Sequence, residues 1–123
     1  HRVLIVEDND LNMEIALECL QSLGVVCEGA ENGRRAVEMF NASAPGHYEM
    51  ILMDVRMPVM NGYEATREIR RLAREDARQI PIVAMPADAF SSDIKMALNA
   101  GMNEHLSKPV SIERLQEVLG QWL

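Results

Sequence analysis

Val3-Leu4-Ile5-Val6-Glu7-Asp8 sets four large apolar residues directly against two acids. A parallel strand covered on both faces reads as such a nearly continuous apolar run. The pattern recurs in Met50-Ile51-Leu52-Met53-Asp54, and more weakly in the segment that closes on Lys108-Pro109. In an open α/β sheet, ligand sites form outside the carboxyl ends of the strands. Three carboxylates and one ammonium, far apart in sequence, are therefore expected at one edge of one sheet. That grouping suits a divalent cation and a phosphoryl group.

Outward from these runs, apolar stretches alternate with helical patterns along the whole chain. Strands are expected near 2–6, 25–29, 49–53, 80–84 and 104–107, and helices near 10–23, 32–43, 60–74, 89–100 and 111–122. Alternating strand and helix predicts a parallel sheet covered on both sides, with right-handed crossovers, as one doubly wound α/β domain with five strands and five helices. Ile15, Ala16, Cys19, Leu20 and Leu23 form one helical stripe, stopped by Gly24. Ala36, Val37 and Phe40 mark the second helix, and Ile112, Leu115, Leu119 and Trp122 the last, with Ser111 as its N-cap. Asn41 to His47 reads as a loop. The arginines at 67, 70, 71, 74 and 78, interleaved with Glu68, Glu75 and Asp76, read as a solvated face and turn.

A chain of 123 residues fits one domain with a core of its own. Its net charge of −7 argues against this domain gripping nucleic acid by itself, because phosphate backbones need a basic surface. Cys19 and Cys27 have no metal-ligand spacing and read as reduced core residues, which points to a reducing compartment. No apolar stretch approaches the roughly 18 residues that span a bilayer, and no signal peptide is visible. The chain begins at His1 and enters a strand almost at once, which reads as a domain cut from a longer protein or a processed chain.

Taken alone, Glu7 and Asp8 are helix-capping acids and Asp54 is a turn residue. Together they are harder to explain that way. Gathering carboxylates at one point is electrostatically costly unless a cation joins them. Asp54 can ligate Mg²⁺, or attack phosphorus and become an aspartyl phosphate. The Lys108 ammonium can neutralise a bound phosphoryl group, and Pro109 fixes the turn after it.

Glu7-Asp8, then Asp54 followed by Met57-Pro58 and Asn61-Gly62, then Lys108-Pro109 closely resemble the receiver domain of two-component response regulators. The resemblance spans essentially the whole chain. It implies a flavodoxin-like sheet of order 2-1-3-4-5. It implies phosphoryl transfer from a partner's phosphohistidine to Asp54. It also implies a Mg²⁺ site of Glu7, Asp8, Asp54 and the backbone carbonyl of Arg56, with the phosphoryl group met by Lys108 and the Ala87 N–H. The partners implied are a histidine kinase domain and a histidine phosphotransfer domain, docking near Leu11, Met13 and Leu17, with no nucleic acid bound directly and no membrane insertion. Asp8-Asn9-Asp10-Leu11-Asn12, Met53 to Met60 and Gly101 to Pro109 resemble the receivers of hybrid sensor histidine kinases. The domain is then expected in the cytoplasm, including when tethered to a membrane-bound kinase.

The chain departs from that family at two positions. Pro86 in Ile82-Val83-Ala84-Met85-Pro86-Ala87 replaces the hydroxyl residue that bonds the phosphoryl group. Proline has no side-chain donor and no backbone N–H. Losing one hydrogen bond to a charged group shifts a two-state switch by roughly 1.5–3 kcal/mol, so phosphorylation is expected to survive while the conformational response weakens. His105 stands where many members carry Tyr or Phe. Arg56 and Asp88 occupy the positions that tune phosphoryl lifetime and are expected to approach each other across the site mouth. One competing reading is a pseudo-receiver, a phosphorylation-independent interaction module. A second is a Mg²⁺-dependent phosphohydrolase; such enzymes carry another acid two residues after the nucleophile, where this chain has Arg56.

Overall fold

The computed structural model describes residues 1–55, 57, 59–87, 91–107 and 112–123, with only the backbone of 86, 87, 91–94 and 107. Its elements alternate: β1 (Arg2–Val6), α1 (Asp10–Ser22), β2 (Val26–Ala30), α2 (Gly33–Ala42), β3 (Met50–Met53), α3 (Gly62–Arg71), α4 (Glu75–Gln79), β4 (Ile82–Ala87), α5 (Ser91–Ala100), β5 (Glu104–Ser107) and α6 (Ile112–Trp122). The five strands form one parallel sheet, in the order β2-β1-β3-β4-β5.

The apolar runs become central strands because both faces are covered. Leu4, Val6, Ile51, Met53, Ile82 and Ala84 point into a cluster with Ala36, Phe40, Ala65, Ile69 and Ala97 from α2, α3 and α5. Val3, Ile5, Met50, Leu52, Val83 and Met85 point the other way, onto Leu20, Leu115, Val118 and Leu119 from α1 and α6. Successive strand side chains alternate faces, so a run with no polar break feeds two cores.

The structure departs from the expected elements in several places. The helix expected over 60–74 begins at Gly62, where Asn61 and Glu64 form a reciprocal capping box, and it ends at Arg71. A separate turn of helix, α4, follows, so six helices are found among the described residues instead of five. Arg70 and Arg74 are not part of a solvated face. Arg70 donates to the carbonyls of Gly101 and Ala77 and to Asn103, at 2.8–3.0 Å. Arg74 donates to the carbonyls of Phe40 and Asn41 at the end of α2, pairs with Asp76 at 2.9 Å, and lies over the Phe40 ring. Ile15 is half exposed beside Leu11, because α1 packs through Met13, Ala16, Leu17 and Leu20, on the other side of the helix. Ile112 is also turned outward, and Ser111 lies outside the described residues.

β4 runs on to Ala87, beyond the end expected at 84. Between Ala84 and Ala87 its register with β5 shifts: three steps on β4 match two on β5, from His105 to Ser107. Pro86 falls inside that irregularity. A proline cannot donate to a ladder, and within sheets it is confined to edges, strand starts and bulges.

Candidate functional site

The site is built by backbone bonds that continue just past two adjacent strands. The Glu7 N–H donates to the Ala30 carbonyl at 3.0 Å, and the Asp54 N–H to the Val6 carbonyl at 2.9 Å. Each bond carries the sheet pattern one residue beyond the strand, so the first acid after β1 and the first after β3 emerge side by side. β1 and β3 are also where the strand order reverses, the crevice that open α/β sheets use for ligands.

Carboxylate oxygens of Glu7, Asp8 and Asp54 lie within 4.8 Å of one another. Glu7 and Asp54 are buried, and Asp8 is exposed at the mouth. The Glu7 carboxyl is held above its ordinary value, first by burial and further by the charge of Asp8, against a stabilising bond from the Asn9 N–H at 3.2 Å. Asn9 does two jobs at once, since its side chain also caps α1 by accepting the Asn12 N–H at 3.0 Å. The acids on either side draw attention away from Asn9, although a residue able to cap stands just before the helix.

The donor set is three hard carboxylate oxygens open to solvent on one side. That fits Mg²⁺, which is held by a few protein oxygens and keeps sites for water and phosphoryl oxygens. It does not fit a closed structural Zn²⁺ site, which takes Cys and His ligands.

Of the other expected site residues, Lys108, Arg56 and Asp88 lie outside the described residues. The backbone of Ala87 closes β4 opposite Ser107, so the residue before Lys108 sits beside Ala87 at the carboxyl ends of β4 and β5. His105 pairs with Ala84 in the sheet and is half-buried, its Nδ1 3.7 Å from a Glu104 carboxylate oxygen. Trp122 stands at the opposite end of the sheet, lining a cavity with Glu49 and Ile80, which precede β3 and β4. No helix among the described residues is long and apolar enough to cross a membrane.

Comparison with known proteins agrees with this geometry. The family described as response regulator receiver domain matches residues 3–120. The autoinducer 1 sensor kinase/phosphatase LuxN of Vibrio harveyi is 40% identical over 121 residues, 98% of this chain, while the chain spans only 13% of LuxN. The receiver domain of sensor histidine kinase PA1611 from Pseudomonas aeruginosa PAO1 is 41% identical and superposes with a TM-score of 0.87, covering 98% of this chain and 95% of that one. Its crystal structure has a magnesium ion coordinated in the active site cleft. The receiver domain of Ssk1 from Saccharomyces cerevisiae, solved with the histidine phosphotransfer protein Ypd1, is 32% identical with a TM-score of 0.85, covering 98% of this chain and 87% of that one.

Proposed function

From the premise that this chain belongs to the response regulator receiver domain family, we propose that it is a phosphoacceptor, with Asp54 taking a phosphoryl group from a partner's phosphohistidine. The observation that carries this reading is the meeting of Glu7, Asp8 and Asp54 within 4.8 Å at the carboxyl edge of the sheet. An Asp54 carboxylate oxygen attacks phosphorus, the P–N bond to the imidazole breaks, and an aspartyl phosphate forms. Glu7 and Asp8 hold Mg²⁺, joined by Asp54 and the Arg56 carbonyl. Bound Mg²⁺ supplies charge neutralisation for the phosphoryl oxygens. Lys108 and the Ala87 N–H take the remaining phosphoryl charge, while Arg56 and Asp88 restrict water at the mouth.

The partners proposed are a histidine kinase domain and a histidine phosphotransfer domain, with the parent chain a hybrid sensor kinase of which residues 1–123 are the receiver, working in the cytoplasm. The Ssk1 receiver solved with Ypd1 supports the second partner. Of the expected docking residues only Leu11 is exposed, since Met13 and Leu17 pack against the core, so the docking face proposed is Leu11 with Ile15, 64% and 51% exposed on the helix that starts beside the acids. The test is transfer from a phosphorylated histidine phosphotransfer domain under Mg²⁺: label should reach the parent and not the Asp54→Asn variant. Equal labelling of both would overturn the assignment of Asp54.

Pro86 supports a finer reading, in which the domain accepts phosphate but switches weakly. Beryllofluoride with Mg²⁺ should then shift amide signals around Asp54 while leaving those of α5 nearly unmoved. A broad rearrangement of α5 would contradict it. The same proline favours the second reading, a pseudo-receiver acting without phosphorylation, and the intact acid cluster stands against it.

A further inference from the structure

Two glycines press on the loop that follows Asp54, and one of them comes from an element with no other part in the site. Gly62 is the first residue of α3. A Cβ there would stand 2.3 Å from the Asp54 carbonyl oxygen and 2.9 Å from the Val55 Cα. Gly33, the first residue of α2, does the same at the far end of the loop. Its Cβ would stand 2.4 Å from the Met60 carbonyl oxygen, 3.1 Å from the Met60 carbonyl carbon and 3.0 Å from the Ala65 Cβ. Non-bonded heavy atoms settle about 3.5–4.0 Å apart, so a methyl group at either place forces backbone to move.

Neither glycine has a positive φ, so the requirement is closeness and not chain direction. Other glycines differ. A Cβ at Gly29 would meet only the flexible end of Met13, and one at Gly120 would meet nothing within 4 Å.

We infer that Gly33 is a positioning residue for the Asp54 loop, acting with Gly62 as a two-sided clamp. The loop is tied at its start by the Asp54 N–H to Val6 and by the Gly62 N–H to the Val55 carbonyl at 2.9 Å. It then turns through Val59, whose φ is 70°. Gly33 holds the stretch after that turn by lying against Met60. α2 cannot easily yield, because Ala36 and Phe40 are fully buried and Arg74 binds its last carbonyls. A methyl at Gly33 therefore displaces Met60, and with it the backbone at Val55, Met57 and Val59. Mg²⁺ demands near-ideal octahedral geometry, and a shift of about 1 Å at a reacting group can slow a reaction on the order of 100-fold.

The functional part of this inference rests on the phosphoacceptor reading. The test compares the parent with Gly33→Ala, Gly62→Ala, Gly33→Ala/Ala65→Gly and the control Gly120→Ala. Read for each are the cooperative melt, backbone amide shifts, Mg²⁺ affinity and phosphorylation rate at saturating Mg²⁺. Folded Gly33→Ala should show displaced signals for Val55, Met57 and Met60. Its Mg²⁺ dissociation constant should rise about tenfold, and phosphorylation should slow on the order of 100-fold. Ala65→Gly should not restore it, because the Met60 carbonyl still blocks the methyl; a helix-packing role would be restored. Parent-like Mg²⁺ affinity and rate in folded Gly33→Ala would overturn the inference. So would failure of both Gly33 variants to fold, which would make Gly33 a determinant of the fold. Should the parent neither bind Mg²⁺ nor take phosphate, the phosphoacceptor reading fails, and the amide shifts alone decide the clamp.

Discussion

At Glu7, burial works against the charge that the site needs. Its carboxyl is held above the ordinary 4.5, by burial first and by Asp8 next. A carboxyl that binds protons more readily in the folded state opposes folding once ionised. That opposition is absent below the unfolded value and grows as pH rises through the folded one. Glu7→Gln is therefore expected to melt higher than the parent at pH 7 in a chelator, and to lose the rise in melting temperature that Mg²⁺ gives the parent. A lower melting point in chelator would contradict this account. The acids were legible in the sequence because each directly follows an apolar run. Gly33 and Gly62 are not legible in the same way, because what they do depends on backbone atoms from other parts of the chain: the Met60 and Asp54 carbonyls that crowd two helix starts leave no mark on nearby residue types, whereas the Asn9 cap is local, to Asn12 and Glu7.

Among the elements, the charged stretch from Arg67 to Arg78 shows what composition hides. It reads as a solvated surface, yet Arg74 is only 15% exposed in its side chain and serves as the C-terminal partner of α2. A cation there meets the last carbonyls, of which Phe40's also accepts from Ser43, and the negative end of the helix. The carbonyls it satisfies lie more than thirty residues earlier, so no local pattern announces them. Arg74→Ala should lose about 2–4 kcal/mol of stability in urea. Part of that loss is pH-dependent. Burial alone would raise Asp76, but the Arg74 bond, with the Gly46 N–H, lowers it below the ordinary 3.8. A depressed carboxyl stabilises the fold above its unfolded value, and the contribution fades as pH falls through the folded one. The gap between parent and variant should accordingly narrow under acid; a constant gap from pH 7 down to acid unfolding would assign the whole effect to the carbonyl bonds. β4 shows the same limit. The apolar run located the strand, but its continuation through Pro86 depends on a bulge against β5, a tertiary fact.

For the whole molecule, the sheet order and the site's location follow from one arrangement. Buried parallel strands place their carboxyl ends at one edge, and the reversal between β1 and β3 opens the crevice there. The doubly wound parallel sheet is legible in the alternating strand and helix patterns, while its order 2-1-3-4-5 is legible only through the family resemblance. A ligand that binds only the folded state stabilises it, by about 2.7 kcal/mol at a hundred times its dissociation constant. The acid cluster should make Mg²⁺ such a ligand. The most direct measurement is intact-protein mass spectrometry after incubation with a small phosphodonor and Mg²⁺, at short and long times, beside Asp54→Asn. The account predicts one added phosphoryl group in the parent, absent without Mg²⁺ and absent in the variant. No adduct at any time, from a protein that binds Mg²⁺, would contradict it.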